Sequence, residues 1–306
     1  MENVKIHRRP RLKNPYLIVA WPGMGEVAFK AASFMVEALK AQEFAEILAE
    51  DFFYLTSSLI KDGVLSLPLL PSGKFYFYKN PVTRITPKEQ RRDLIIFISN
   101  AQPDLIKAEE YSKRILEVAR AFKVRTIVGF AAMPQTIDHS QTPGVWLAST
   151  AKEINQNLKD FNFNLMKEGQ ISGMNGLFLG VAKREGFEGI CLLGEIPLYT
   201  IQIENPRASS AVLEAFSRIS GVQIDCAPLN QQAHLMEEEI NKLLEYLKLG
   251  PQAPGPIGEE ELEKIKKSLS QLTKLPISMK EKIEKLFEEA KNDISKARQL
   301  KSELDK

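Results

Sequence analysis

Over 306 residues, 41 Lys and Arg nearly balance 39 Asp and Glu, and a net charge of +2 excludes the basic excess of a dedicated nucleic-acid binder. Two Cys exclude a disulfide framework and make a reducing compartment the default, while three His far apart in sequence exclude a His-rich metal centre. No apolar run approaches the ~20 residues of a spanning helix, and no apolar stretch follows Met1-Glu2-Asn3 as a secretory signal would require, so a cytoplasmic protein without a membrane partner is expected by elimination.

Tyr16–Trp21 is a short apolar run that reads as a strand and ends at Pro22-Gly23-Met24-Gly25. Val27, Ala31, Phe34 and Ala38 recur at 4, 3 and 4, one face of a helix. Val64–Leu70 and Phe75–Tyr78 flank Pro71-Ser72-Gly73-Lys74, a hairpin signal that implies some antiparallel pairing. Leu94–Ile98 is continuously apolar, as a strand buried on both faces must be. Pro103 suits the first turn of a helix whose apolar face is Tyr111, Ile115, Val118 and Phe122. Thr126–Phe130 and Ile190–Leu193 read as further strands. Ala208, Val212, Ala215 and Ile219 mark one more amphipathic helix, and Met236, Ile240, Leu243 and Leu247 another. The sum is an α/β, three-layer sandwich with a mixed β-sheet over residues 1–250.

Residues 250–258 read Gly-Pro-Gln-Ala-Pro-Gly-Pro-Ile-Gly, which can continue neither helix nor ladder, so a linker is placed at 251–258. Residues 259–306 hold 11 acidic and 12 basic residues and one aromatic, Phe287. Leu262, Ile265, Leu269 and Leu272, then Ile283, Leu286, Ala290, Ile294, Ala297 and Leu304, form thin apolar stripes on either side of Pro276. This predicts a C-terminal helical hairpin that needs another surface to pack on. That surface is the main domain, a second copy or another protein.

If the strands are parallel, several loops meet at the one sheet edge where open α/β folds place ligands. They supply Gly23, Met24 and Gly25 from the first turn, Asn100 and Gln102 after Leu94–Ile98, Met133 after Thr126–Phe130, and Glu195 after Ile190–Leu193. Gly173 and Asn175 come from the densest Gly stretch, Ile171–Gly180, read as a helix start that packs closely through Gly176 and Gly180. The geometry suits a pocket or a protein-contact rim equally. Pro22-Gly23-Met24-Gly25 lacks the third Gly of a dinucleotide fingerprint and the Lys-Ser/Thr of a phosphate loop, so a tight turn is the plainer reading. Glu195 suits a desolvated base or, more simply, a cap for backbone N–H groups or an ion pair with Arg207. Asp138-His139-Ser140 reads as an exposed polar loop, because adjacent residues seldom converge on one substrate atom. Cys191 reads as a small core residue. No metal-ligand spacing or cofactor motif stands out, so no catalytic residue, metal or cofactor is assigned.

Pro22–Gly25, Ser172-Gly173-Met174-Asn175-Gly176-Leu177, Leu192-Leu193-Gly194-Glu195 and Asn205-Pro206-Arg207-Ala208 resemble, in order and spacing, the proteasome assembly chaperone 2 family over about residues 14–248. The resemblance implies a nucleoside-phosphorylase-like α/β fold, homo-oligomers and no established catalysis. It also implies binding to proteasome α-subunits, if the host has a proteasome. Some relatives dock through a C-terminal hydrophobic–Tyr–any tripeptide; this sequence ends Leu304-Asp305-Lys306, so that anchor is not expected. The reading is therefore a non-enzymatic oligomeric protein-binding protein of chaperone or scaffold type. The alternative is a small-molecule enzyme or sensor, nucleoside- or phosphate-like in ligand, that uses the same sheet edge. A third role, oligomerisation, is open to the tail hairpin.

Overall fold

A computed structural model describes residues 3–81 and 92–249. The linker and helical hairpin expected beyond residue 250 lie outside them. The strands are β1 (Val4–Ile6), β2 (Tyr16–Ala20), β3 (Gln42–Ile47), β4 (Leu59–Lys61), β5 (Val64–Ser66), β6 (Gly73–Tyr78), β7 (Leu94–Ser99), β8 (Thr126–Gln135), β9 (Val145–Ser149), β10 (Asn164–Leu165) and β11 (Glu188–Pro197). The helices are α1 (Val27–Ala38), α2 (Ala108–Ala121), α3 (Lys152–Asn157), α4 (Met174–Arg184), α5 (Pro206–Ser220) and α6 (Ala227–Leu249).

Nine strands form one mixed sheet in the order β1-β3-β6-β7-β2-β8-β11-β9-β10. The middle four, β7, β2, β8 and β11, are parallel, and β6 and β9 flank them antiparallel. Their C-terminal ends therefore share one edge. Strand β2 lies at the centre and is buried throughout. Its alternate side chains divide between two layers. Leu17 and Val19, with Trp21 just beyond, join the core under α2 and α4. Tyr16, Ile18 and Ala20 join the core under α1 and α5. The three-layer α/β sandwich is thus the observed architecture.

Several local expectations are corrected. Strand β6 pairs with β3 and β7, not with the segment before it. The hairpin is instead β4–β5, turned at Asp62-Gly63, both with positive φ (52° and 77°). Asp-Gly is the dipeptide that a two-residue hairpin turn demands, and it was the signal to read. Strands β8 and β11 run on to Gln135 and Pro197 and stay in register, so Met133 and Glu195 are strand residues facing one another, not loop residues. Pro134 is tolerated because β2 pairs with β8 only as far as Gly129, which leaves that side of β8 without a ladder to break. Helix α1 buries Val27, Ala28, Ala31, Ala32 and Met35, whereas Phe34 is half-buried and Ala38 exposed. Small residues on that face let α1 approach the sheet and α5 closely. Pro103 lies ahead of α2, which begins at Ala108. The predicted α2 stripe holds: Tyr111, Ile115 and Val118 are buried.

Phe97 on β7 anchors the layer under α2 and α4. Its ring lies 4.7 Å from Phe75, 5.6 Å from Trp21 and 6.0 Å from Tyr111, centroid to centroid. Phe97→Ala should lower stability by about 3–5 kcal/mol, read as an earlier urea midpoint with an unchanged slope.

Candidate functional site

The ladder of β2 ends at Ala20 opposite Ile98, one residue short of Trp21. Trp21 is fully buried, so its peptide groups need partners from elsewhere. Asn175, the second residue of α4, provides both. The Trp21 N–H donates to Asn175 Oδ1 (3.0 Å), and Asn175 Nδ2 donates to the Trp21 carbonyl (3.0 Å). Gln102 repeats the device one residue on. Its Nε2 donates to the Pro22 carbonyl (2.9 Å), and its Oε1 accepts the Met174 N–H (3.1 Å), an orphan donor of the α4 N-terminus. Gly173 precedes α4 with φ +70°, and a Cβ there would stand 2.9 Å from the Gln102 amide.

The Gly23 turn continues this contact set. Gly25 has φ +58°; its N–H donates to the Ile201 carbonyl (2.7 Å) and its carbonyl accepts the Asn205 N–H (2.8 Å). Asn205 caps α5, its Oδ1 accepting the Ala208 N–H (3.0 Å). The Ile196 side chain from the end of β11 lies against Gly25. Three of the four sequence blocks, separated by up to about 180 residues, therefore meet at one place, and the block Leu192–Glu195 joins them through Gly194, which lies against Ala208. Within Ile171–Gly180, Gly176 packs on Ile171, but Gly180 has open space around it, so it makes no close contact.

The structure brings Gly23, Met24, Gly25, Gln102, Gly173 and Asn175 together and sets the other three apart. Asn100 Oδ1 accepts the Ser72 N–H (2.8 Å) and fixes the start of β6. It lines an open groove of about 230 Å³ with Phe29, Ser33, Lys74 and Tyr76. The Lys74 ammonium there is engaged by Glu43 (3.0 Å), a bond that raises the lysine pKa. Glu195 Oε2 accepts the Gly144 N–H (2.8 Å) and its Oε1 accepts the Trp146 Nε1–H (2.7 Å). It caps β9; Arg207 pairs instead with Glu237. Met133, its register partner, is half-buried.

Asp138-His139-Ser140 departs from the expected exposed loop, because His139 is buried. The His139 backbone N–H donates to Tyr199 Oη (2.9 Å), which also lies in hydrogen-bond contact with His139 Nδ1 (2.8 Å). Nε2–H then donates to Asn241 Oδ1 (2.9 Å) on α6. Ser140 Oγ turns to Asp138 Oδ1 (2.6 Å), so no relay runs from acid through imidazole to hydroxyl. The partners lie 60 and 102 residues away, which hid the role from any local pattern. Cys191 is fully buried and its thiol is pushed up to about 12 by desolvation; burial also raises Cys226. Neither is a thiolate at neutral pH. Among the described residues, His7, Glu43 and Glu46 bring ligand atoms within 4.8 Å, but Lys74 and Lys5 already pair with those carboxylates.

The edge also exposes several large apolar side chains. Met24, Leu177 and Leu198 are among the exposed large hydrophobic residues, and Leu105 and Ile106 after β7 are 86% and 90% accessible.

The PAC2 family profile matches residues 17–244. A Methanocaldococcus jannaschii protein, MJ1210, described as uncharacterized, is 31% identical over 264 residues, 83% of this chain and 93% of that one. The crystal structure of Pyrococcus furiosus PbaB, an archaeal proteasome activator, aligns with a TM-score of 0.66 at 28% identity, covering 78% of this chain and 97% of its own. Pyrococcus furiosus PbaA, an archaeal homolog of proteasome-assembly chaperone, aligns at 0.58 and 25% identity, covering 79% and 96%.

Asn175→Ala strands two buried peptide groups and should cost about 2–6 kcal/mol in urea unfolding. Asn175→Asp sets a carboxylate against the Trp21 carbonyl; burial favours its neutral form, so stability should fall as pH rises through the carboxyl's raised pKa and recover on acidification. In native protein, Ellman's reagent should label neither Cys191 nor Cys226 rapidly, and both after unfolding.

Proposed function

The chain belongs to the PAC2 family, and from that premise we propose that it is a non-enzymatic, homo-oligomeric protein-binding protein of assembly-chaperone type. Family membership, with the likeness to PbaA and PbaB, supports a chaperone or assembly role. Its finer form here is a cytoplasmic protein, without cofactor, metal or nucleic-acid partner, that binds the α-subunits of its host's proteasome. The α/β body to residue 250 acts as the binding unit, and a linker at 251–258 and helical hairpin at 259–306 extend it.

One observation carries the reading. At the edge where α/β sheets hold ligands, Asn175 and Gln102 are engaged with backbone, and the side chains left facing solvent include Met24, Leu105, Ile106, Leu177 and Leu198. Polar side chains already engaged with backbone, beside exposed apolar ones, suit a protein surface better than a small polar ligand. The small-molecule alternative has weaker support, since the Asn100, Lys74 and Glu195 side chains are engaged too.

Purified full-length chain should co-elute with the α-subunits of its host's 20S proteasome. Leu105→Lys with Ile106→Lys should weaken that binding tenfold or more while leaving the unfolding free energy within about 0.5 kcal/mol of the parent. A parent chain that captures no α-subunit, or a host without a proteasome, would end the proposal.

A further inference from the structure

We infer that the arm formed by residues 54–70 is a contact surface between copies of this chain. The inference rests on the oligomeric part of the reading above and adds the surface that makes the oligomer. Strands β4 and β5 pair only with each other and stand apart from the nine-stranded sheet. Every residue from Tyr54 to Leu67 is exposed. Ile60 and Leu65, cross-strand partners, are 72% and 69% accessible, and Leu69 is 95% accessible. Leu59 and Val64 are exposed as well, one residue along each strand and hence on the opposite face. A lone two-stranded hairpin is marginal in water, and leucines on both faces make an unpaired one worse.

The root of the arm is fixed. The Asp104 N–H donates to the Phe52 carbonyl (3.0 Å), and the Phe52 and Phe53 rings pack on Tyr111 at 4.9 and 5.6 Å. The arm thus projects from an ordered base.

Area and charge name the occupant. Leu59, Ile60, Val64, Leu65, Leu67 and Leu69 together expose roughly 800 Å² over the two faces of the arm, so an arm clasped on both faces gives about the share of one partner in a standard interface. From Phe52 to Gly73 the only charged residues are Lys61 and Asp62, neighbours at the tip whose charges cancel. Two identical arms therefore meet without like-charge repulsion, as a self-complementary contact requires. A surface built for a strongly acidic or basic partner would carry the opposite sign, and this one carries none.

Sedimentation velocity on the full chain, with hydrogen exchange at residues 59–66, tests the inference. The parent should sediment as an oligomer with slow exchange in the arm. Ile60→Glu with Leu65→Glu should give the mass of one 34.5 kDa chain, fast exchange in the arm and an unchanged far-UV spectrum. A parent of single-chain mass overturns the inference. If its arm exchanges slowly nonetheless, another part of the same chain covers it. A double variant that keeps the oligomeric mass overturns it as well. Co-elution with α-subunits is read separately. A monomer that still captures them removes this interface and leaves the chaperone reading standing; an oligomer that captures none does the reverse.

Discussion

A buried strand has to leave the core somewhere, and here it does so through the side-chain amide of Asn175. Strand β2 is flanked on both sides and buried on both faces. One residue past its ladder, the Trp21 peptide would lie in the apolar interior with no partner. An asparagine amide has the donor and acceptor of a peptide group, so it lengthens the ladder by one residue out of the sheet and into α4. Much of the edge depends on that bond pair. Met174 must open a helix beside it, which calls for Gly173 in the left-handed region. Gln102 then bridges the segments at Pro22 and Met174, and the Gly25 turn passes backbone partners to Ile201 and Asn205 ahead of α5. At this sheet edge the Asn175 and Gln102 amides are thus already engaged with backbone groups.

The sequence made the layers legible and the edge only partly so. Strand β2, strand β7 and the buried stripes of α2 and α5 follow from short-range pattern, because periodicity records which side of an element meets the core. The misreadings share a cause: the deciding partner was far away. Nothing near Pro134 says that β11 continues beside it to Pro197. Nothing near His139 announces Tyr199 and Asn241. The Pro71–Lys74 turn reads as a hairpin because a turn signal does not say which strands it joins, although Asp62-Gly63 carries that information. At the site, Gly23, Gly25, Gly173 and Asn175 stood out by type. Their common purpose did not, since Asn175 and Trp21 are 154 residues apart.

The distribution of charge separates two kinds of surface. The sheet face beyond α1 is laced with ion pairs, Lys5 with Glu46 and Lys74 with Glu43, and α2 carries Lys107, Lys113 and Arg114 against Glu109, Glu110 and Glu117. Such exposed pairs stabilise little individually; they mark surfaces kept in water. Against that background, twenty-two residues from Phe52 to Gly73 with a single opposed pair of charges form a distinct region rather than a sample of a generally apolar chain.

The order in which strands enter the sheet has a consequence in time. Tyr16 on β2 lies beside Leu94 on β7, and Leu17 beside Ile127 on β8, so the central strand waits for neighbours about 80 and 110 residues downstream. During synthesis β2 leaves the ribosome before both its neighbours and cannot be completed until β8 follows, and the arm of zero net charge emerges in that interval. Non-local parallel pairing is slow to form, and an unfilled strand is open to wrong partners meanwhile. The growing chain thus passes through a stage in which its central buried strand and its exposed apolar arm are free together, and that stage ends only when β8 arrives.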